Sequence, residues 1–164
     1  MPLLGLFAVL TTASVGLTQQ ASGPSPASEA KEDAGPWLTV TPDAALEVAA
    51  ARSRPLLLYF WASWCGRCRV MERTTLPDDR VFAFLKDNVV ALAVEADHWS
   101  THELAKEHGV SALPQISVVA PDGRTLGKVV GSRSPKALVR ELRKLMAEES
   151  WRAPRRDDAP EDER

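Results

Sequence analysis

Hydrophobic residues follow two different patterns in the middle of the chain, a continuous run and a helical repeat. An unbroken apolar run at 56–61 (LLLYFW) is typical of a central strand that is covered on both faces of a sheet. After Pro135, apolar residues recur at helical spacing, at Leu138, Leu142 and Leu145, with charged residues between them. The chain therefore combines buried strands with amphipathic helices, which is the pattern of an α/β domain.

Patterns of this kind, together with the residues that start helices and turns, predict strands that alternate with helices along the chain. Thr41-Pro42 supplies a capping hydroxyl and a proline at a first helical position, and Pro121-Asp122-Gly123 supplies the turn of a hairpin. Strands are expected at 37–40, 56–61, 89–95, 116–120 and 125–130. Helices are expected from 42 to about 52, from the cysteine motif onward, near 78–86, from a cap at Ser100 or Thr101 to Gly109, and from Pro135 onward. This order predicts an α/β fold in which a mixed central sheet is flanked by helices on both faces.

The two ends of the chain differ from its middle. Residues 1–17 carry no charged side chain, which favours a signal peptide or an N-terminal anchor and leaves a buried N-terminal helix as the alternative. Residues 18–36 are predicted to form a flexible linker, 149–164 a disordered charged tail, and 37–148 the folded domain. The expected localisation is outside the cytoplasm, in the periplasm or a similar compartment. Membrane attachment is expected only if the N-terminal segment is not cleaved.

Composition narrows the classes of function. The 164 residues carry a formal net charge of −2, which offers no electrostatic basis for nucleic-acid binding. The chain has 2 cysteines, Cys65 and Cys68, too few for a framework of several disulfides. They form one Cys-x-x-Cys motif, so the predicted chemistry depends on what that pair does.

The motif begins a helix directly after the central strand. Unpaired N–H groups and the helix dipole favour an anion at that position, and the thiolate of Cys65 is such an anion. Two intervening residues place Cys68 one helical turn further on, close enough to form a disulfide. Arg67 and Arg69 add positive charge, which further favours the thiolate. The motif therefore predicts thiol–disulfide exchange, with Cys65 as the more exposed, attacking thiol and Cys68 as the buried, resolving thiol.

Two blocks of the sequence resemble the thioredoxin superfamily. The first is 60–68 (FWASWCGRC), and the second is 109–114 (GVSALP), which is followed by Asp122-Gly123 and by Gly131. The resemblance covers nearly all of the predicted domain. It implies a thioredoxin fold and the activity of a protein-disulfide reductase or thiol–disulfide interchange protein.

Within the superfamily, the chain looks most similar to the C-terminal thioredoxin-like domain of DsbD-type thiol:disulfide interchange proteins. The pointers are a long stretch between Met71 and Val81 and a leucine, Leu113, before the proline. The resemblance implies that Pro114 is cis and lies against the cysteine pair, and that the Leu113 backbone pairs with the substrate chain. The residues expected to bind substrate are Trp64, Gly66, Arg67, Leu113 and Pro114.

The exchange reaction sets the expected cofactors and partners. No metal and no organic cofactor is expected, because the Cys65–Cys68 pair is itself the redox-active group. The expected partners are a protein substrate that carries a disulfide and an upstream redox protein that supplies electrons. The chain is expected to be a monomer. Gly66-Arg67 between the cysteines does not fix the direction of the reaction, and reduction or exchange is favoured.

One position departs from the family pattern. Thioredoxins carry a buried aspartate on the central strand, six residues before the first cysteine, where it helps to move the proton of the second cysteine. Tyr59 stands at that position here, and a tyrosine with a pKa of about 10 is a poor base at neutral pH. Tyr59 and Glu95, on the next strand, are the candidate proton-relay residues for Cys68, with water as the alternative.

Four other interpretations of the cysteine pair compete with exchange chemistry. His98 and His102 could complete a zinc site, but about 30 residues separate them from the cysteines. Haem attachment needs a histidine where Arg69 stands, and a purely structural disulfide closes too small a loop to stabilise the chain much. The main rival is a non-catalytic thioredoxin-like binding module or a copper-delivery protein, for which Met71 is the nearest additional ligand.

Overall fold

The computed structural model describes residues 35–147. The predictions of a signal peptide or anchor at 1–17 and of a charged tail at 149–164 lie outside the described residues, as does all but the end of the linker at 18–36. These assignments therefore stay predictions. No helix within the described range is long and apolar enough to cross a membrane.

Five strands and five helices alternate along the described range. The strands are β1 (Trp37–Leu38), β2 (Leu56–Trp61), β3 (Val90–Glu95), β4 (Gln115–Val119) and β5 (Thr125–Val130). The helices are α1 (Pro42–Ala51), α2 (Gly66–Thr74), α3 (Asp79–Asn88), α4 (His102–Glu107) and α5 (Pro135–Met146). The mixed sheet and its flanking helices confirm the predicted α/β fold class.

The five strands form one sheet in the order β1-β3-β2-β4-β5. The central strand, β2, pairs in parallel with β3 and antiparallel with β4, so that Phe60 lies beside Val94 on one side and Gln115 on the other. Because β2 and β3 are parallel, the chain crosses between them through α2 and α3. Their carboxyl ends consequently lie at the same edge of the sheet, where the cysteine motif follows β2.

Helices cover both faces of the sheet and bury one apolar cluster on each. On one face, α2, α3 and α5 contribute Met71, Leu85 and Leu142 to a core that includes Leu57 and Tyr59 of β2. On the other face, α1 and α4 pack against the alternate residues of β2. Burial of both faces explains why β2 is apolar at every position.

Close packing of β5 against α5 depends on one glycine. A Cβ atom built on Gly127 would lie 2.5 Å from Leu145 Cδ2, which is well inside van der Waals contact. Because Gly127 has no side chain, α5 can approach the sheet closely at this position of β5.

The predicted element bounds differ from the structure at a few positions, for local reasons. Strand β1 ends at Leu38 rather than at 40, because it pairs with β3 only at Ala91 and Leu92. Helix α3 begins one residue later than predicted, since Asp78 is its N-cap and accepts a hydrogen bond from Arg80 N. Strand β4 begins at Gln115, one residue earlier than predicted, and ends at Val119.

The residues that precede α4 and α5 do not act as hydroxyl caps, although a cap was predicted at Ser100 or Thr101. Thr101 is the N-cap of α4, but its hydroxyl donates to the carbonyl oxygens of Glu95 and His98 instead of capping the helix. Ser134 precedes α5 without a side-chain capping bond. At α1, by contrast, Thr41 Oγ1 accepts from Ala44 N at 3.3 Å, as a capping hydroxyl should.

Candidate active site

The cysteine pair lies where β2 ends and α2 begins. Cys65 is the N-cap residue of α2, and its Sγ accepts a hydrogen bond from the backbone N–H of Cys68 at 3.1 Å. The two cysteines form a disulfide with their Cα atoms 5.3 Å apart. A sulfur at this position faces the free N–H groups of the first helical turn, which stabilise it when it becomes a thiolate.

The two sulfurs differ in accessibility in the predicted order, although both are well covered. Cys65 is 5% exposed and Cys68 is fully buried. The prediction that Cys65 is an exposed thiol is therefore too strong, because Ala62, Trp61 and Leu113 pack around the disulfide. Of the two cysteines, Cys65 is therefore the one that lies nearer the surface.

The loop before β4 closes over the disulfide. The Leu113–Pro114 peptide bond is cis, as the resemblance implies, and Pro114 is buried. The Pro114 carbonyl accepts a hydrogen bond from Gly131 N at 2.7 Å, which ties this loop to the end of β5. Within residues 35–147, no hydrogen bond involves the peptide groups of Leu113, so they are free to pair with another chain.

Trp64, the residue before the attacking cysteine, borders an open groove. The indole is 67% exposed, and its Nε1–H donates to Asp97 Oδ2 at 2.7 Å. The groove has a volume of about 600 Å³ and runs from Trp64 past α4 to Leu113. Asp97 was not among the predicted site residues. Its signal in the sequence is its place just after β3, whose carboxyl end lies beside that of β2.

The two arginines of the motif have different surroundings. Arg69 donates from Nη1 to the Ser63 carbonyl at 2.7 Å and so braces the turn before the cysteines. Arg67 is exposed, and its carbonyl accepts from Ser132 Oγ at 3.2 Å. Across the described range, no ion pair involves the Arg67 guanidinium, which leaves it open to solvent and to a docked substrate. Gly66 is also exposed beside it.

Tyr59 is unsuited to the proton-relay role that the sequence left open for it. Its side chain is almost fully buried, and its hydroxyl donates to Glu72 Oε1 at 3.2 Å. Burial raises the pKa of Tyr59 far above its ordinary value, and the charge and hydrogen bond of Glu72 raise it further. Tyr59 therefore stays protonated at any physiological pH and cannot accept a proton from Cys68.

Two carboxylates, Glu95 and Glu72, bear on the proton relay for Cys68. Glu95 is half-buried at the end of β3 and pairs in register with Trp61, so it remains a candidate for the relay. Glu72 was missed by the sequence analysis because its contact with Tyr59 joins a helix to a strand. The helical spacing of Cys68 and Glu72, four residues apart, was the one available signal.

The structure adds no support for a metal-binding interpretation. His98 Nδ1 lies 2.8 Å from Ser100 Oγ, and no three His, Cys, Asp or Glu side chains within residues 35–147 are grouped as metal ligands. Met71, the suggested extra copper ligand, is buried in the core beneath α2.

A disulfide that begins a helix at the carboxyl edge of a mixed sheet, with a cis-proline loop against it, defines a thiol–disulfide oxidoreductase. Comparison with known proteins agrees with this class. The family described as "Thioredoxin-like domain" matches residues 42–146. The chain belongs to this family and is a thioredoxin-like disulfide oxidoreductase with its Cys-x-x-Cys pair at Cys65 and Cys68.

Two curated relatives and one solved structure show the likeness within the family. A thioredoxin of Mycolicibacterium smegmatis is 27% identical over 105 residues, which cover 64% of this chain and 90% of that protein. The thiol:disulfide interchange protein DsbD of Ralstonia nicotianae is 35% identical over 106 residues, covering 63% of this chain. The oxidised C-terminal domain of Neisseria meningitidis DsbD superposes with a TM-score of 0.54 at 25% identity, covering 62% of this chain and 90% of that domain.

The match to the whole DsbD protein is partial. The aligned region spans 17% of the length of the Ralstonia nicotianae protein, whereas it spans nearly all of the thioredoxin. The predicted resemblance to a DsbD-type C-terminal domain is confirmed at the level of that domain. The chain is thus comparable with one redox module of the larger protein.

Proposed function

We propose that this chain reduces or exchanges disulfides of protein substrates outside the cytoplasm. The observation that carries the proposal is the disulfide at the start of α2, with Cys65 5% exposed and Cys68 fully buried. The sequence supports the compartment through the uncharged segment at 1–17. The likeness to the C-terminal domain of DsbD supports interchange with other redox proteins.

In the proposed reaction, the Cys65 thiolate attacks one sulfur of the substrate disulfide. A Cys65–substrate S–S bond forms, the substrate S–S bond breaks, and the departing sulfur takes up a proton from water. Cys68, after losing its proton, attacks Cys65 Sγ. The Cys65–Cys68 bond forms, and the second substrate sulfur departs and is protonated. Two electrons pass from the dithiol to the substrate, and the dithiol of a partner protein restores the reduced pair.

The substrate chain binds along the groove beside Trp64. The free peptide groups of Leu113 support pairing with an extended substrate strand, because unpaired N–H and C=O groups at the edge of a site are a template for a further strand. Leu113 and the exposed indole supply apolar contact on either side of Cys65. Binding through backbone groups accommodates many substrate sequences.

The proposal requires no metal and no organic cofactor, since the two thiols carry both electrons. It does require two protein partners, a substrate with a disulfide and an upstream reductant. Proton removal from Cys68 is assigned to water or to Glu95, because Tyr59 stays protonated. We propose that the protein acts as a monomer, because one chain supplies every group that the reaction uses.

Trapping of mixed disulfides tests the division of roles between the cysteines. The Cys68→Ser variant should retain substrates covalently on Cys65, since nothing resolves the mixed disulfide. The matched Cys65→Ser variant should retain few, because Cys68 is buried. Both variants are compared with the unaltered chain in non-reducing gels and in reduction of insulin. Equal capture by the two variants would overturn the proposal, and so would insulin reduction by Cys65→Ser.

A further inference from the structure

A second cavity, distinct from the substrate groove, opens on the α2 side of the sheet. It has a volume of about 500 Å³ and lies between strands β1, β3 and β2 and the turn that joins α2 to α3. Four aromatic side chains from three separate elements line it: Trp37, Tyr59, Trp61 and Phe82. The thiol–disulfide reaction uses none of these rings.

The aromatic side chains line the cavity with different degrees of exposure, and Tyr59 is the most buried of them. Trp37 and Tyr59 lie with their ring centroids 6.0 Å apart and their planes tilted by 55°. Trp37 and Trp61 are half-buried, and Phe82 is 40% exposed. Aromatic rings that are partly exposed can attract a cation through their electron-rich faces.

One carboxylate, Glu72, lines the same cavity. Its Oε1 accepts the Tyr59 hydroxyl hydrogen bond, and within residues 35–147 no basic side chain pairs with it. The other lining residues carry no charge at neutral pH, because Tyr59 is the only other titratable one. The cavity therefore carries a single negative charge that the fold leaves without a counter-ion.

We propose that this cavity binds an organic cation with an alkylated ammonium head. Aromatic faces together with one carboxylate fit such a ligand, since the rings attract its diffuse charge and its methyl groups fill apolar space. An unalkylated ammonium is a poorer ligand, because it is strongly hydrated and gives up more hydration free energy when it leaves water.

The chemistry of the neighbouring groove gives the proposal selectivity. The larger groove between α3 and α5 has a net positive charge, because its lining contains one acidic side chain, Asp87, and five basic ones, Arg80, Lys136, Arg140, Arg143 and Lys144. Arg143 already lies over the Phe84 ring, 5.7 Å from its centroid. A cationic ligand is repelled there and is directed to the cavity that contains Glu72.

Choline and dimethylbutanol, which replaces the ammonium nitrogen of choline by carbon, test the proposal on the full chain in its oxidised form. Isothermal titration at low salt should show one saturable choline site, with binding roughly tenfold tighter than that of the uncharged isostere. In NMR spectra, the indole N–H signals of Trp37 and Trp61 should shift, while those of Trp64 and Trp99 should not. Absence of saturable binding, or equal binding of the two probes, would overturn the proposal.

Three variants locate the site. Glu72→Gln should weaken the binding of choline roughly tenfold and leave the binding of dimethylbutanol unchanged. Glu47 is an exposed carboxylate on α1, on the other face of the sheet, and Glu47→Gln should change the binding of neither probe. Phe82→Leu keeps an apolar side chain at the cavity, so it should weaken the binding of choline but not the binding of dimethylbutanol. Thermal unfolding of each variant shows that it is folded. Unchanged choline binding in both folded cavity variants would refute the assignment.

Discussion

Removal of the Arg67 charge is the sharpest test of the electrostatics at the cysteine pair. The guanidinium lies in the first turn of α2, one residue before Cys68, and pairs with no acidic side chain in the part of the chain that is described. It therefore acts on Cys65 through space. Arg67→Gln removes the positive charge, keeps a long polar side chain and leaves the backbone bond to Ser132 in place.

The magnitude follows from the exposure of the arginine. Water and salt screen an exposed charge, so the interaction with the Cys65 thiolate is about 1 kcal/mol at low ionic strength. Arg67 favours the thiolate, which belongs to the reduced form, and so raises the reduction potential of the pair. Its loss should lower the potential by roughly 20 mV. The same loss should raise the pKa of the reduced Cys65 thiol by about 0.7.

Redox titration against glutathione measures the potential, and ultraviolet absorbance of the thiolate measures the pKa. Both shifts should shrink as salt is added. Arg73→Gln, which removes a charge from the last turn of the same helix, is the matched control and should leave both quantities nearly unchanged. A potential that rises, or equal effects in the two variants, would refute the electrostatic reasoning.

Three further substitutions test other parts of the structure. Gly127→Ala should lower the free energy of unfolding by about 1–2 kcal/mol, measured by urea denaturation, since its Cβ must displace Leu145; an unchanged midpoint would contradict the close approach of α5. Asp97→Ala should raise KM for insulin roughly fivefold by freeing the Trp64 indole, with little change in kcat; the opposite split would place Asp97 in the chemistry instead. The raised pKa of Tyr59 means that the unfolded chain deprotonates first, so stability should fall above about pH 10, and Tyr59→Phe should lack this loss of stability.

Local signals made most of the fold predictable. The apolar run of β2 and the Thr41-Pro42 start of α1 each carry their cause within a few residues, and both elements occur where they were expected. The ends of β1 were not predictable, because its length depends on how far its partner β3 extends beside it.

The residues of the site also include some that the local sequence predicts and some that it does not. The spacing of Cys65 and Cys68 identifies them as a redox pair. Their order of burial follows from their positions, since Cys65 is the N-cap of α2 and Cys68 lies within the helix. The bonds from Trp64 to Asp97 and from Tyr59 to Glu72 join residues 33 and 13 positions apart, and no periodic pattern pairs them. Such partners emerge only when strand register is known.

The position of Cys65 at a helix start links disulfide chemistry to the stability of the domain. The free N–H groups of α2 stabilise the Cys65 thiolate only when the helix exists, that is, in the folded chain. The disulfide closes so short a loop that it restricts the unfolded chain very little. Reduction and unfolding therefore form one thermodynamic cycle, in which any difference in potential between the folded and unfolded chains reappears as a difference in unfolding free energy, at about 1.4 kcal/mol for every 30 mV. Where the two potentials differ, each turnover changes the resistance of the protein to unfolding along with its oxidation state.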